Sequence, residues 1–239
     1  MSSTCTNGSK CFFPDGDWGD EYRGQGDAVT VYLPPDWRAI LKLDSPPWAE
    51  TAKECAELER MVHLRTPAKR AEIIRQASGY DIDDVWSVQM VAGDPDKPVR
   101  PAAKAAVRAL LDDVWAPMFF FKTVYKRGRP FMCCAQELDP MFKPGEPFYP
   151  AHPAYPSGHS TQAHALAYFY ARLLPHRRDA LMDAAGAIAL NREIAGLHYP
   201  SDSRAGKQLA EQVVDLIFQS PEFNAMAEEA KREYEAPAP

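Results

Sequence analysis

No stretch of the chain approaches the roughly 18 consecutive apolar residues that a membrane-spanning helix requires. The strongest apolar run, from Val114 to Phe121, is short and contains Pro117. The N-terminus also lacks the apolar segment of a secretory signal. We therefore expect no integral membrane segment. The protein should be either cytoplasmic or one whose signal peptide has been removed.

The chain also lacks an excess of positive charge, because its formal net charge is -6. Affinity for nucleic acid depends on clustered lysines and arginines that neutralise the phosphate backbone. We therefore expect no nucleic-acid partner. A local basic cluster could still bind one small anion.

Cysteine is sparse as well, and Cys5, Cys11, Cys55, Cys133 and Cys134 show no CxxC spacing. A zinc site is therefore not expected. The acidic residues and histidines also lack the spacing of a divalent-metal cage. The odd number leaves at least one thiol outside any internal disulfide, and the sequence does not decide the pairing. For Cys133 and Cys134, which are adjacent, structural filling is favoured over redox chemistry.

Apolar residues recur at helical spacing along most of the chain, and no alternation is long enough to predict a β-sheet. One helix should begin with Ser45 as its N-cap. Further helices are predicted over residues 67–77, 102–124, 159–174, 177–195, 202–219 and 221–234. We predict an all-α, single-domain helical bundle over residues 31–235, preceded by an N-terminal tail or irregular segment over residues 1–30. Such apolar stripes are also what simple helix packing would produce.

One segment breaks the helical pattern, because six prolines lie between Asp139 and Ser157. Prolines at this density exclude a helix interior. We expect a long ordered loop or lid, although a surface crossover between helices would look the same. His152 on this loop could reach a bound substrate. An aromatic or otherwise apolar leaving group could be favoured by four aromatic residues of the loop: Phe142, Phe148, Tyr149 and Tyr155.

The first cluster that carries chemistry runs from Lys122 to Pro130. Lys122 and Arg129 are seven residues apart, so on a continuing helix they would share a face, roughly 10 Å apart along the axis. Gly128 and Pro130 predict that the helix ends near Arg129. Two converging cations could clamp a phosphate. A basic helix end is, however, also typical of a solvated cap.

The second cluster, Ser157-Gly158-His159, lies where the proline-rich loop meets a predicted helix. A helix N-terminus offers free N–H groups and the positive end of the dipole to an anion. Gly158 allows close approach of the backbone, and Ser157 adds a hydroxyl donor. His159 could protonate a leaving group. The alternative is a serine-capped helix with an incidental histidine.

The third cluster extends from Arg192 to Asp202. Gly196 is typical of a helix terminator, which places His198 in the following turn and Asp202 close to the next helix start. A carboxylate that binds one ring nitrogen of a histidine leaves the other nitrogen free to attack. Asp202 as a plain N-cap is the alternative.

Together the three clusters resemble the pattern of the type 2 phosphatidic acid phosphatase superfamily, which also includes the vanadium haloperoxidases. That pattern is Lys-x6-Arg-Pro, then Pro-Ser-Gly-His, then Ser-Arg-x5-His-x3-Asp. The residues, order and internal spacings match, with one departure: Asn191 stands where the family usually has Ser. Because Arg192 and His198 are intact, we expect this change to tune the site and not to abolish it. A weaker resemblance, from Tyr32 to the Ser220–Phe223 region, connects the chain to the soluble class A bacterial acid phosphatases.

The resemblance implies a helical bundle of the acid phosphatase and vanadium haloperoxidase type. It implies a soluble, metal-independent phosphatase that hydrolyses phosphate monoesters through a phosphohistidine. His198 would be the nucleophile, Asp202 would orient it, and His159 would act as general acid and then as base. The phosphoryl oxygens would be held by Lys122, Arg129, Ser157, Gly158 and Arg192. No cofactor is implied, and vanadate is expected to inhibit.

Two other functions stay open at this point. One is a vanadium-dependent haloperoxidase that uses the same pocket with vanadate as its cofactor; the short chain argues against it. The other is a non-catalytic phosphate- or lipid-binding protein, which the complete set of catalytic positions disfavours. The expected partner is a small-molecule phosphate ester, and assembly into a homo-oligomer stays open. The resemblance implies a periplasmic or secreted protein if a signal peptide was removed.

Overall fold

The computed structural model describes residues 10–78, 100–134 and 138–235. Residues 1–9 of the predicted tail, which include Cys5, and residues 79–99 of the predicted domain lie outside the described residues. Within the described ranges, β-structure is confined to an isolated antiparallel bridge between Phe12 and Arg127. Helices make up most of the rest, so the prediction of an all-α fold is confirmed.

The described residues form the helices α1 (Trp37–Ile40), α2 (Thr51–Met61), α3 (Pro67–Ser78), α4 (Pro101–Tyr125), α5 (Pro130–Cys133), α6 (Gly158–Leu173), α7 (Arg178–Ile194), α8 (Pro200–Ile217) and α9 (Pro221–Glu235). Six of them, α3, α4 and α6–α9, lie where the sequence pattern predicts them, with ends shifted by one or two residues, whereas the short helices α1 and α5 were not predicted. The expected start at Ser45 is wrong, because Pro47 has a ψ of 73°, outside the helical region. A 3-10 turn therefore precedes α2, which begins at Thr51.

Helix α6 forms the centre of the core. It packs most extensively against α7 and α8 and also contacts α4 and α9. Fourteen of its sixteen residues are buried, so its whole circumference faces protein. Small residues such as Ala163 and Ala167 allow the neighbouring helices to approach closely. The N-terminal end of α6, where Gly158 lies, is consequently held inside the protein.

Helix α4 is the long element against which the N-terminal segment folds. Its buried Asp113 carboxylate accepts hydrogen bonds from the backbone N–H groups of Val31, Tyr32 and Leu33, at 2.6–2.9 Å. Three N–H donors satisfy this buried charge without a cation. No helix in the described part of the chain is long and apolar enough to cross a bilayer.

Helix α4 ends at Tyr125, one residue beyond the span that periodicity predicts, whereas the end near Arg129 expected from Gly128 and Pro130 is wrong. Lys126 takes the left-handed conformation, with a φ of 47°, and the backbone leaves the helix there. The chain then pairs with the N-terminal segment. Phe13 N–H donates to the carbonyl of Lys126 at 2.7 Å, and Gly128 N–H donates to the carbonyl of Cys11 at 2.9 Å. Residues 126–129 therefore run as a short non-helical segment between α4 and α5.

Two disulfides anchor the chain shortly after this segment. Cys11 is bonded to Cys133, and Cys55 on α2 is bonded to Cys134. The adjacent cysteines thus have a structural role, but as cross-links and not as free thiols filling space. The N-terminal segment, whose described part contains only short 3-10 turns, also buries Phe13 and Trp18 in the core.

Removing the bridge between Cys11 and Cys133, by serine at both positions, should destabilise the fold. The bridge closes a loop with a sequence separation of 122 residues, and loss of such a cross-link typically costs about 2–4 kcal/mol. For a domain of this size that corresponds to a fall in Tm of roughly 4–16 °C. Calorimetry of the oxidised wild type and the double variant measures it. Free, alkylatable Cys11 in the denatured, non-reduced wild type would show that the bridge is absent.

Candidate active site

The predicted site residues converge where the C-terminal ends of α4 and α7 meet the N-terminal ends of α6 and α8. A cavity with a volume of about 340 Å³ opens at this point. Its wall includes four of the predicted residues, namely Gly158, His159, Arg192 and His198. The other four are fully buried in the surrounding protein: Lys122, Arg129, Ser157 and Asp202.

The two ring nitrogens of His198 have different partners. Nδ1 lies 3.4 Å from Oδ2 of Asp202, and Nε2 lies 3.0 Å from Nη1 of Arg129. A guanidinium can only donate hydrogen bonds, so Nε2 must accept and Nδ1 must carry the ring hydrogen. This assignment follows from the hydrogen-bond partners. It leaves the lone pair of His198 on Nε2, the nitrogen turned away from the carboxylate.

Burial favours the neutral form of the three histidines in the cavity wall, His152, His159 and His198, because it lowers the pKa of each. Burial lowers the pKa of His198 well below its ordinary value, and the Arg129 cation lowers it further. Burial also lowers the pKa of His159, and the Arg192 cation acts in the same direction. A neutral imidazole is the form that has a lone pair to donate, which suits His198. His159 needs an added negative charge nearby before it can hold a proton.

Arg192 presents unpaired N–H groups next to the cavity. Its Nη2 donates to the carbonyl of Ile73 and to Oε1 of Gln76, at 2.9 and 3.2 Å. Nε and Nη1 are buried and have no hydrogen-bond partner among the residues that the structure describes. Burial lowers the pKa of Arg192 to about 9, so the side chain stays cationic at neutral pH. Buried donors without a partner are costly, and an anion in the cavity would satisfy them.

Arg129 connects the proline-rich loop to the histidine. Its Nε donates to the carbonyl of His152 at 2.9 Å, and Nη2 donates to Nδ1 of the same histidine at 3.0 Å. Besides meeting His198, Nη1 donates to the carbonyl of Leu197 at 3.0 Å. Burial lowers the pKa of Arg129 to about 10, which still leaves it charged. His152 lies in the cavity wall, where the sequence placed it as a residue that could reach a substrate.

Lys122 holds the same C-terminal part of that loop. Its ammonium donates to the backbone carbonyls of Pro153 and Pro156, at 2.7 and 2.5 Å, and more weakly to that of Ala154. Burial and the Arg129 cation lower its pKa, while three carbonyl acceptors match the three donors of the charged form. In the ligand-free protein, Lys122 therefore shapes the backbone beside the cavity.

The start of α6 forms a third side of the site. Ser157 is the N-cap, and its hydroxyl accepts from the N–H of Ser160. The backbone N–H of Ser157 donates to the carbonyl of Asp202 at 3.0 Å, which joins this motif to the histidine motif. A side chain at position 158 would meet Met118 Sδ at 3.0 Å, so the glycine fits this narrow site. The first N–H groups of α6 have no partners within the helix and favour an anion.

The aromatic residues of the proline-rich loop divide into two groups. Phe148 and Tyr149 line the cavity, together with Tyr22 and Trp115 from other parts of the chain. The remaining two are structural. Phe142 belongs to a small hydrophobic cluster, and the hydroxyl of Tyr155 donates to a backbone carbonyl. The predicted aromatic lining therefore holds for half of the loop residues, and the N-terminal segment adds Tyr22.

Comparison with known proteins places this arrangement in a family. A family model described as the PAP2 superfamily matches residues 104–224, which include all the predicted site residues. The chain belongs to the PAP2 superfamily. It is 29% identical over 119 residues to a non-specific acid phosphatase of Providencia stuartii, covering 47% of this chain and 45% of that protein. It is 26% identical over 138 residues to an acid phosphatase of Zymomonas mobilis, covering 55% and 48%.

This PAP2 chain thus spans about half the length of the curated relatives it matches. A solved structure also resembles it: a transmembrane PAP2 type phosphatidylglycerolphosphate phosphatase from Bacillus subtilis. The TM-score is 0.50 at 18% identity, over 73% of this chain and 87% of that one. At this identity the likeness concerns the fold alone.

Two supporting groups around the site have no place in the motif pattern. Glu54 on α2 and Arg127, from the segment after α4, form buried ion pairs next to Asp202. Arg127 lies within the first basic cluster, so its position was visible, but nothing in the sequence separated it from the exposed Lys126. Gln76, which contacts Arg192, comes from α3, far from the motifs in sequence.

Asn191, the departure from the usual Ser, is part of the support of Arg192. Its side-chain N–H groups donate to Oε1 of Glu72 and to Oε1 of Gln76, both at 2.9 Å. Gln76 in turn accepts from Arg192. Asn191 therefore fixes the glutamine that orients the arginine, and a serine has too short a side chain and too few donors to make both contacts. In this PAP2 protein, the unusual Asn191 therefore has two defined hydrogen-bond partners.

Asn191→Ser should weaken the binding of inorganic phosphate without abolishing it. A net loss of about 1 kcal/mol, the usual contribution of one hydrogen bond, corresponds to roughly five-fold weaker binding. Titration calorimetry with phosphate measures it, with the exposed Asn224→Ser as the matched control. Unchanged phosphate affinity in Asn191→Ser would show that Arg192 does not depend on this contact.

Proposed function

We propose that this protein is a soluble, metal-independent phosphatase that hydrolyses phosphate monoesters through a phosphohistidine on His198. The observation that carries the proposal is the pair of contacts made by His198. Nδ1 of His198 faces the carboxylate of Asp202 at 3.4 Å, and the lone pair is left on Nε2, beside a cavity with buried cations. A second support is the unpaired Nε and Nη1 of Arg192, which suit the oxygens of a phosphoryl group.

In the first half of the proposed reaction, Nε2 of His198 attacks phosphorus and the bond to the leaving oxygen breaks. Arg129 meets Nε2 in the ligand-free protein, so its Nη1 hydrogen bond must pass to a phosphoryl oxygen before the lone pair is free. The imidazole becomes positively charged as the bond forms. Asp202, fixed against Nδ1, stabilises that charge.

His159 would supply the proton that the leaving oxygen needs. In the ligand-free site its pKa is lowered by burial and by Arg192. The two negative charges of a bound phosphate monoester oppose these effects and raise the pKa. His159 therefore takes up its proton with the substrate. In the second half, water attacks phosphorus while His159 accepts its proton, and the bond between phosphorus and Nε2 of His198 breaks. Phosphate then leaves, and as its negative charge is removed His159 releases the proton to solvent, which restores both neutral histidines.

Cations and N–H groups of the protein would do in this site what metal ions do in other phosphatases. Arg192 and the start of α6 would hold the phosphoryl oxygens, and Lys122 would act mainly through its charge. Among the described residues, no group of three or more His, Cys, Asp or Glu is arranged to hold a metal ion. The aromatic side chains that line the cavity, among them Tyr22 and Tyr149, suit an ester of an aromatic or apolar alcohol.

The nucleophile is tested by His198→Ala. Turnover of a phosphate monoester should fall by about three orders of magnitude or more, because a nucleophilic mechanism loses its acceptor. The fold should survive, and the exposed His176→Ala should retain wild-type activity. Rapid quench of the wild type should trap an acid-labile phosphoenzyme that maps to His198. A phosphoenzyme on another residue would overturn the assignment.

The general acid is tested in the same assays by His159→Ala. Its contribution, typically about 10²–10⁴-fold, should be lost with an alkyl phosphate and largely spared with 4-nitrophenyl phosphate, whose leaving group needs no proton. An equal loss with both esters would contradict the role of His159.

Vanadate tests the shape of the oxyanion site. A site that binds the five-coordinate transition state more tightly than the substrate should bind vanadate more tightly than phosphate. Competitive inhibition is expected, and Arg192→Ala should weaken vanadate binding by about 10–100-fold. The control is Arg172→Ala, on an exposed ion pair. Equal binding of the two anions would contradict this site, and rapid bromide-dependent peroxide turnover with bound vanadate would favour the haloperoxidase.

A further inference from the structure

The carboxylate of Asp202 has more partners than the catalytic histidine. Oδ2 accepts from the backbone N–H of Tyr199 at 2.9 Å and faces Nδ1 of His198. Oδ1 accepts from Nη1 of Arg127 at 2.7 Å. The carboxylate is fully buried and water cannot reach it. Arg127 therefore decides which oxygen is left for the histidine.

Arg127 is itself held by a second carboxylate. Its Nη2 donates to Oε2 of Glu54 at 2.9 Å, and its Nη1 also donates to the hydroxyl of Ser201 at 2.7 Å. Burial works against the charge of Arg127, but Asp202 and Glu54 raise its pKa above the ordinary value. The guanidinium also lies over the ring of Tyr199, 3.9 Å from its centroid. Its plane and position are thus fixed from several directions.

Glu54 is bound to the start of α8, which carries the catalytic aspartate. Oε1 accepts from the backbone N–H of Ser201 at 2.7 Å, and Oε2 accepts from the Ser201 hydroxyl at 2.9 Å. The next residue, Cys55, is cross-linked to Cys134, a few residues after Arg127. One end of α2, one end of α8 and the arginine segment are therefore locked together.

From this geometry we infer that Arg127 is a positioning residue, acting through Asp202 on His198, and that Glu54 holds Arg127 in place. The inference rests on the proposed function of His198. Arg127 is not part of the cavity wall and would not touch the substrate. A bridge between two carboxylates needs two donors in one plane, which arginine has and lysine lacks.

Without Arg127, Oδ1 of Asp202 loses its donor, and the orientation of the carboxylate depends on the backbone N–H of Tyr199 alone. The hydrogen bond to Nδ1 of His198 then loses its alignment, and the imidazolium formed during attack is less stabilised. Supporting groups of this kind typically contribute about 10–100-fold. The effect should fall on kcat, because the groups that bind the phosphoryl oxygens stay in place.

The experiment compares Arg127→Met and Arg127→Lys with the wild type. Arg127→Met should lower kcat for 4-nitrophenyl phosphate by about 10–100-fold with KM within about two-fold. Arg127→Lys should recover part of kcat, because it restores the charge but not the bridge. The control pair is Arg172→Met and Arg172→Lys, which break an arginine–carboxylate pair with Asp215 near the far end of α6. These should leave kcat and KM unchanged.

A second readout does not depend on turnover. In the ligand-free wild type, the Nδ1 proton of His198 should give a downfield imidazole resonance in proton–nitrogen NMR spectra, since it is buried and faces a carboxylate. Arg127→Met should shift this resonance upfield or broaden it, and Arg172→Met should not. If the wild type proves inactive but the resonance behaves in this way, the proposed function fails while the positioning contact stands.

Glu54→Gln covers the case in which Arg127→Met does not fold. Glu54 accepts three hydrogen bonds, and an amide has a single acceptor atom, so the substitution must release at least one donor while conserving shape. It should lower kcat by several-fold and shift the same resonance. Wild-type kcat together with an unshifted resonance in Glu54→Gln or Arg127→Lys would overturn the inference. A rise in KM without a fall in kcat would do so as well.

Discussion

Buried positive charge is the constraint on which the rest of this structure depends. Four cations lie at most 1% exposed around one end of the bundle: Lys122, Arg127, Arg129 and Arg192. Two buried carboxylates, Asp202 and Glu54, both pair with Arg127. Burying charge is expensive unless it is paired. The fold meets this cost for Lys122 and Arg129 with backbone carbonyls, and Nε and Nη1 of Arg192 have no partner among the described residues.

Several features of the fold follow from those cations. The loop between Asp139 and Ser157 is rich in proline and is not helical. Its backbone carbonyls are therefore not used in helix hydrogen bonds, and that of Pro153 accepts from Lys122 and Arg129. A helix in this place would have used its carbonyls internally. The irregular backbone is therefore what allows two buried cations to be satisfied without further carboxylates. The turn that carries His198 works in the same way, because the carbonyl of Leu197 accepts from Arg129.

The helices and the motif residues were predictable because both are encoded locally. Apolar periodicity predicts α4 and α6–α9, and the spacing of His198 and Asp202 alone places both residues around one helix start. Contacts between distant segments were not predictable in this way. Arg127 connects Asp202 to Glu54, which lies about 150 residues earlier in the sequence, and no local sequence pattern predicts such a contact. The non-helical path of residues 126–129 was not predictable either, because it depends on pairing with a segment more than 100 residues earlier.

The segment that carries Arg127 and Arg129 shows why the disulfides matter to the site. Residues 126–129 are not helical, and beyond the last hydrogen bond of α4 at Lys126 their backbone is held by hydrogen bonds to distant segments, at Cys11, Phe13 and Ala154. Two arginines with fixed guanidinium planes need a backbone that does not move, since each bridges groups from different elements. The cross-links at Cys133 and Cys134 anchor this segment to the N-terminal segment and to α2. Arg127 and Arg129 lie on this non-helical segment, whereas Lys122 and Arg192 lie on helices. The disulfides thus give the segment the rigidity that the helices give to the other two cations.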